Sequence, residues 1–177
     1  MKILKYTLSI LFCNAYRLLR FIPNNDPIMG VMLPYSKQGK WWHAALFAFI
    51  TMLSFDFITS GIGIWTWATA FTYAGLGLLF HFTYRRIKVV KLKHYMGSGI
   101  LGVLIFDFVT GVVLGPTMFG MSYLQALIGQ IPFTAMHLIT VSGFILILTP
   151  LLDRAVISNP ALEDSTVVSK LKMAVRA

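Results

Sequence analysis

Two of the six acidic residues lie inside long apolar runs, in matching surroundings. Phe55-Asp56-Phe57-Ile58-Thr59 recurs as Phe106-Asp107-Phe108-Val109-Thr110, at an offset of 107 − 56 = 51 residues. Asp and Thr three residues apart share one face of a helix. A carboxylate in an apolar span is costly unless it meets a cavity, water or a partner group. Asp56 and Asp107 therefore either line a polar cavity or cap neighbouring helix ends. Arg17 and Arg20, also three apart, precede the breaker Pro23-Asn24-Asn25-Asp26-Pro27. They can pair with an acid, hold an anionic ligand group, or snorkel to headgroups. Trp65 follows the glycine-rich turn Ser60–Gly63, where an indole can stack on a flat ring or mark an interface belt. Gln130 and His137 flank Pro132, which frees a backbone carbonyl one turn earlier. The expected ligand-binding set is Arg17, Arg20, Asn24, Asp56, Trp65, Asp107, Gln130 and His137.

These residues carry no catalytic signature. The chain has no Cys-x-x-Cys, no His-x-x-x-His, no phosphate loop and no Gly-x-Ser-x-Gly. The reading is of a non-enzyme without a cofactor or metal. Cys13 is the only cysteine, so no disulfide forms within the chain.

The elements that must position the set are apolar runs separated by breakers. Ile3–Phe21 reads as a first helix, retained because no small-x-small cleavage site follows it. Ile28–Tyr35 is a short apolar piece containing Pro34. Trp41–Thr59, Ile64–Tyr84, Tyr95–Val113 and Ser122–Leu152 are the long runs. Gly115 and Pro116 are expected to mark a loop. The same offset of 51 relates Lys40 to Lys91 and His43 to His94. This gives repeat units of approximately 40–84 and 91–137, each a pair of helices in parallel arrangement. Residues 1–157 read as one transmembrane domain, and 158–177 as a polar cytoplasmic tail.

Composition agrees. Hydrophobic residues make up 57% and charged residues 12%, with a mean hydropathy of +0.75. A soluble domain carries about twice that share of charge. A β-barrel is excluded by the long unbroken apolar runs. The net charge of +9 comes from Lys and Arg in the gaps between runs, where the positive-inside rule places them, and not from a nucleic-acid surface. Thirteen of the 15 Lys and Arg fall on the cytoplasmic side whether or not 23–40 crosses the bilayer, so charge alone leaves five and six spans open. In both cases the 85–94 loop is cytoplasmic, and the 60–64 and 111–121 segments face outward.

The order of these motifs resembles the S components of energy-coupling factor (ECF) transporters, small substrate-binding membrane subunits of vitamin and micronutrient importers. The resemblance rests on Arg17-Leu-Leu-Arg-Phe-Ile-Pro23, on Phe55-Asp-Phe-Ile-Thr-Ser-Gly-Ile-Gly-Ile-Trp65-Thr, on Ile105-Phe-Asp-Phe-Val-Thr-Gly111 and on Ile131-Pro-Phe-Thr-Ala-Met-His137-Leu. It implies an all-α polytopic protein of six transmembrane helices, the second one short, with both termini cytoplasmic. It also implies an outer pocket for a small-molecule substrate, and as partners a membrane scaffold (the T component) and two ATPase subunits. The family's small-residue motif on the first helix is matched only by Ser9 and Cys13. The chain opens Met1-Lys2, not the Met-His of nickel and cobalt members. A second expectation, from another class, is a non-transporting membrane scaffold like the accessory proteins of cell-wall elongation. That scaffold needs no enclosed outer cavity.

Overall fold

The computed structural model describes residues 3–19, 26–163 and 166–167. Every regular element among them is helical. They are α1 (Ile3–Leu19), α2 (Ile28–Gln38), α3 (His43–Thr59), α4 (Ile64–Arg85), α5 (Leu92–Asp107), α6 (Gly115–Phe119) and α7 (Tyr123–Leu152). A π-helical segment, Phe108–Leu114, joins α5 to α6 in one rod, and a second, Asp153–Ile157, extends α7. Two rods, Leu92–Phe119 and Tyr123–Ile157, are long and apolar enough to cross a membrane; His43–Thr59 is apolar but shorter.

The bundle has a cationic end and an aromatic end. Lys5, Lys37, Lys40 and the Arg85–Lys93 segment gather at the first; Trp65 and Phe119 meet at the second. At the cationic end the buried Lys5 ammonium donates to the carbonyls of Ile157 (2.9 Å) and Asn159 (2.7 Å). It thereby satisfies orphan acceptors where the last helix finishes. Lys37 pairs with Asp153 at 2.8 Å, and Tyr95 and Gln38 donate to the same carboxylate.

The shortest of the main helices is the most buried. At 11 residues α2 covers about half of a hydrocarbon core. Ile28 through Ser36 are nevertheless all buried, against α3, α4 and α7. A buried proline in such a helix leaves the carbonyl four residues earlier without its usual donor. For Pro34 that carbonyl is Gly30, and the Thr149 hydroxyl of α7 donates to it at 2.7 Å. At the other end of α2, His81 of α4 lies 3.0 Å from the Ser36 carbonyl and fills an orphan acceptor of the last turn.

The expected loop at Gly115-Pro116 is instead helix. Pro116 occupies the first turn of α6, inside the continuous rod, and the chain meets its missing N–H by switching to π geometry just before it. The stop comes at Gly120, in the left-handed region at φ +68°. The expected outer segment 111–121 thus shrinks to the turn at 120–122. The π segment follows from its sequence. Val109, Thr110, Val112 and Val113 are poor helix formers, and Pro116 cannot donate back to Val112. Pro132 leaves α7 continuous from Tyr123 to Leu152.

The repeat-related positions share local bonds. Nδ1 of His43 accepts from the Lys40 N–H (3.2 Å), and Nδ1 of His94 accepts from the Lys91 N–H (2.8 Å). Thr59 and Thr110 each donate to the carbonyl four residues back.

Candidate functional site

Asp107 ends α5 and His137 lies near the middle of α7. The two helices pack as antiparallel neighbours, with Gly99 against Ile145 further along the same seam. Asp107 is 1% and His137 3% exposed, and Nδ1 to Oδ1 is 2.8 Å. The other atom of each group, Asp107 Oδ2 and His137 Nε2, is buried and has no hydrogen-bond partner among the described residues. Leaving a buried polar atom unsatisfied typically costs about 1–3 kcal/mol. With the carboxylate ionised, Nδ1 carries the proton of the bond, and Oδ2 and Nε2 are two open acceptors. With an imidazolium, Nε2–H becomes an open donor.

An aromatic wall runs from this pair. Phe106 and Phe133 each place a ring 6.0 Å from the His137 ring, nearly edge-on. Phe106 also packs on Tyr73 of α4, at 4.5 Å between centroids. The Tyr73 hydroxyl donates to Asp26 Oδ2 (2.8 Å), and Asp26 Oδ1 accepts from the Ile28 N–H (2.9 Å). Asp26 therefore fixes the start of the half-length α2 deep in the bundle and complements the positive end of its dipole.

Toward the aromatic end the α5–α7 seam opens. A pocket of about 530 Å³ lies between Trp65, Phe119, Gln125, Gln130 and the glycines 111, 115 and 129. The Gln130 amide lies where a Cβ on Gly111 would stand, so a larger residue there would push the amide aside. Gly111 is one helical turn from Asp107, and Gln130 about two turns from His137. The pocket thus lies one to two turns beyond the buried pair along the same two helices, and neither Asp107 nor His137 lines it. Trp65 and Phe119 rings meet at 5.4 Å. Gln125 Oε1 accepts from Ser122 N–H and closes the N-terminal capping box of α7. Its amide NH₂ remains available to the pocket. The chemistry on offer is two aromatic faces and two primary amides beside a buried acid–imidazole pair, suited to holding a small molecule.

The sequence-derived set thus divides. Asp107 joins His137, and Trp65 joins Gln130 in the pocket. Arg17 is half-buried on α1, 3.9 Å over the Phe55 ring, with Nη1 3.2 Å from Met52 Sδ and no ion pair among the described residues. Asp56 is partly exposed near the end of α3, and its carboxylate has no hydrogen bond or ion pair among the described residues. The two Asp-Thr turns do not border one another, since α2 and α4 each pack on both α3 and α5. Arg20 and Asn24 lie outside the described residues. Asp26, Tyr73, Phe119 and Gln125 were not in the expected set. Asp26 had a signal, being an Asp in the breaker ahead of α2, whose side chain can bond the backbone N–H two residues on.

Neither models of known families, nor curated proteins, nor solved structures give a match to this chain.

Proposed function

We propose that this protein is the substrate-binding integral membrane subunit of an ECF-type importer for a vitamin or related micronutrient. In this reading six helices cross the bilayer, α2 being the short one, and both termini are cytoplasmic. The aromatic end faces outward and takes the ligand there. A T-component scaffold and two ATPases supply the transport energy. One observation carries the reading: a buried Asp107–His137 pair with two unsatisfied atoms, one to two turns from the Trp65–Gln130 pocket on the same two helices. Intramembrane ionisable groups of this kind mark ligand or ion sites. The deep N-terminus of the half-length α2 adds a feature common to transporter sites.

The scaffold reading draws on Asp56, whose partly exposed carboxylate near a helix end has no partner among the described residues and needs no cavity.

Native mass spectrometry of the purified protein, looking for a co-purified small molecule, separates the two. Once that molecule is in hand, Asp107→Asn, Gln130→Ala and Trp65→Ala are compared with the exposed control Lys93→Ala. Losing one anchor from a desolvated pocket costs about 2–5 kcal/mol, or roughly thirtyfold or more in affinity. The pocket variants should weaken by that order and the control should not. Parent-like binding in all three, with the fold intact, favours the scaffold.

A further inference from the structure

A second cavity lies at the opposite, cationic end. It is a groove of about 740 Å³ between α1 and α3, walled by Ile3, Tyr6, Ile10, Leu46 and Ile50, with Lys40 at its mouth beside Trp42 and His43. Nothing in the binding pocket above involves it.

Its chemistry is amphiphilic. The walls are apolar along two helices, and Ile3, Leu46 and Ile50 are exposed. The mouth is positive. The Lys40 side chain is exposed and makes no hydrogen bond or ion pair among the described residues. Arg85, Arg86, Lys88, Lys91 and Lys93 are exposed at the same end, because the last turns of α4 and α2 meet through His81 and Ser36. Asp153, the acid beside them, is already bound to Lys37. Trp41 and Trp42 are exposed at this level, as aromatic residues are at a bilayer–water interface. The Tyr6 hydroxyl behind the wall is buried and has no hydrogen-bond partner among the described residues.

We propose that this groove binds one anionic phospholipid, with an acyl chain between α1 and α3 and the phosphate at Lys40. A long apolar trough with a cation at one end and further cations around it matches one charged head and one apolar chain. An acidic peptide would leave the apolar walls uncovered. The proposal rests on the membrane placement given above, not on the transport role.

The test uses the full-length protein in a mild non-ionic detergent, titrated with dioleoyl phosphatidylglycerol or dioleoyl phosphatidylcholine and read by native mass spectrometry and thermal melting. Phosphatidylglycerol should form a one-to-one adduct and raise the melting midpoint, while phosphatidylcholine should do neither. Lys40→Glu, a change at an exposed side chain, should weaken the adduct by about fivefold for each unit of charge altered. Leu46→Trp, filling the trough, should abolish it, and Lys93→Glu should matter less than Lys40→Glu. Equal adducts with both lipids, unmoved by Leu46→Trp, overturn the proposal. So does a dimer that Leu46→Trp dissolves, which would give the groove to a second copy. Release of the protein from native membranes by alkaline carbonate would refute the membrane placement itself; retention there without lipid selectivity refutes only the lipid site.

Discussion

At the residue scale, buried polar groups divide into those the fold completes and those it leaves open. Lys5, Thr149 and His81 belong to the first kind, each supplying a helix carbonyl that the backbone cannot satisfy. Asp107 Oδ2 and His137 Nε2 belong to the second, with the Tyr6 and Tyr84 hydroxyls and Asn14 Oδ1, and they alone among these form a buried acid–imidazole pair. The contrast gives the pair its weight, because the same fold finds donors for carbonyls stranded by Pro34 and by helix ends. The first kind is testable with Thr149, which is fully buried. Thr149→Val keeps the shape and strands the Gly30 carbonyl. The loss should be about 1–3 kcal/mol, seen as a lowered midpoint in thermal melting of the detergent-solubilised protein. Thr149→Ser keeps the donor and should lie much closer to the parent. Equal losses would show that the methyl group matters there and the hydrogen bond does not.

At the element scale, the helix count and the apolar runs were legible because hydrophobic length is a direct reading of composition. The His-Lys spacing at 40–43 and 91–94 was legible too, and both histidines bond the backbone at the start of their helices. What misled was local punctuation. Gly115-Pro116 reads as a loop, yet a proline in a first turn starts a helix as readily as it ends one. Burial of α2 was not legible, since its 11 residues resemble a minor connector and only tertiary packing makes them the centre. Nor did the matching Asp56 and Asp107 motifs reveal that one is buried against a histidine and the other stands apart. The partner comes from α7, and no local pattern encodes it. Close packing of α3 on α4 supplies a prediction at this scale. A Cβ on Gly77 would stand 2.7 Å from the Ala45 nitrogen and 2.9 Å from the Ala44 carbonyl carbon, both backbone atoms. Gly75, two residues earlier, has nothing within 4 Å. Gly77→Ala should therefore destabilise by about 1–3 kcal/mol through overpacking. Gly75→Ala should be neutral or stabilising by up to about 1 kcal/mol through helix propensity. Melting midpoints of the two variants should move in opposite directions or differ clearly, and equal small shifts would mean that the α3–α4 contact can relax.

At the scale of the whole molecule, the two ends differ in charge, and this difference orients the proposed function. Arg85, Arg86, Lys88, Lys91 and Lys93 occupy one short connection, whereas the 60–63 and 120–122 turns contain no Lys or Arg. In the orientation proposed above, which follows the positive-inside rule, the first is cytoplasmic and the other two are outside. The Trp65–Gln130 pocket then opens outward, where an importer meets its ligand, and the Lys40 groove lies in the cytoplasmic leaflet, which is the anionic one. Both proposals depend on that orientation, so it is worth testing directly. The native Cys13 is fully buried and should remain silent to labelling. Met121→Cys places a thiol in the exposed 120–122 turn, and Lys91→Cys places one in the cationic connection. A membrane-impermeant maleimide applied to intact cells should modify the first and leave the second untouched until the membrane is opened. The reverse pattern would invert the molecule, turn the pocket toward the cytoplasm and remove the basis for ligand capture from outside. Labelling of both in intact cells would deny that the membrane separates the two ends at all.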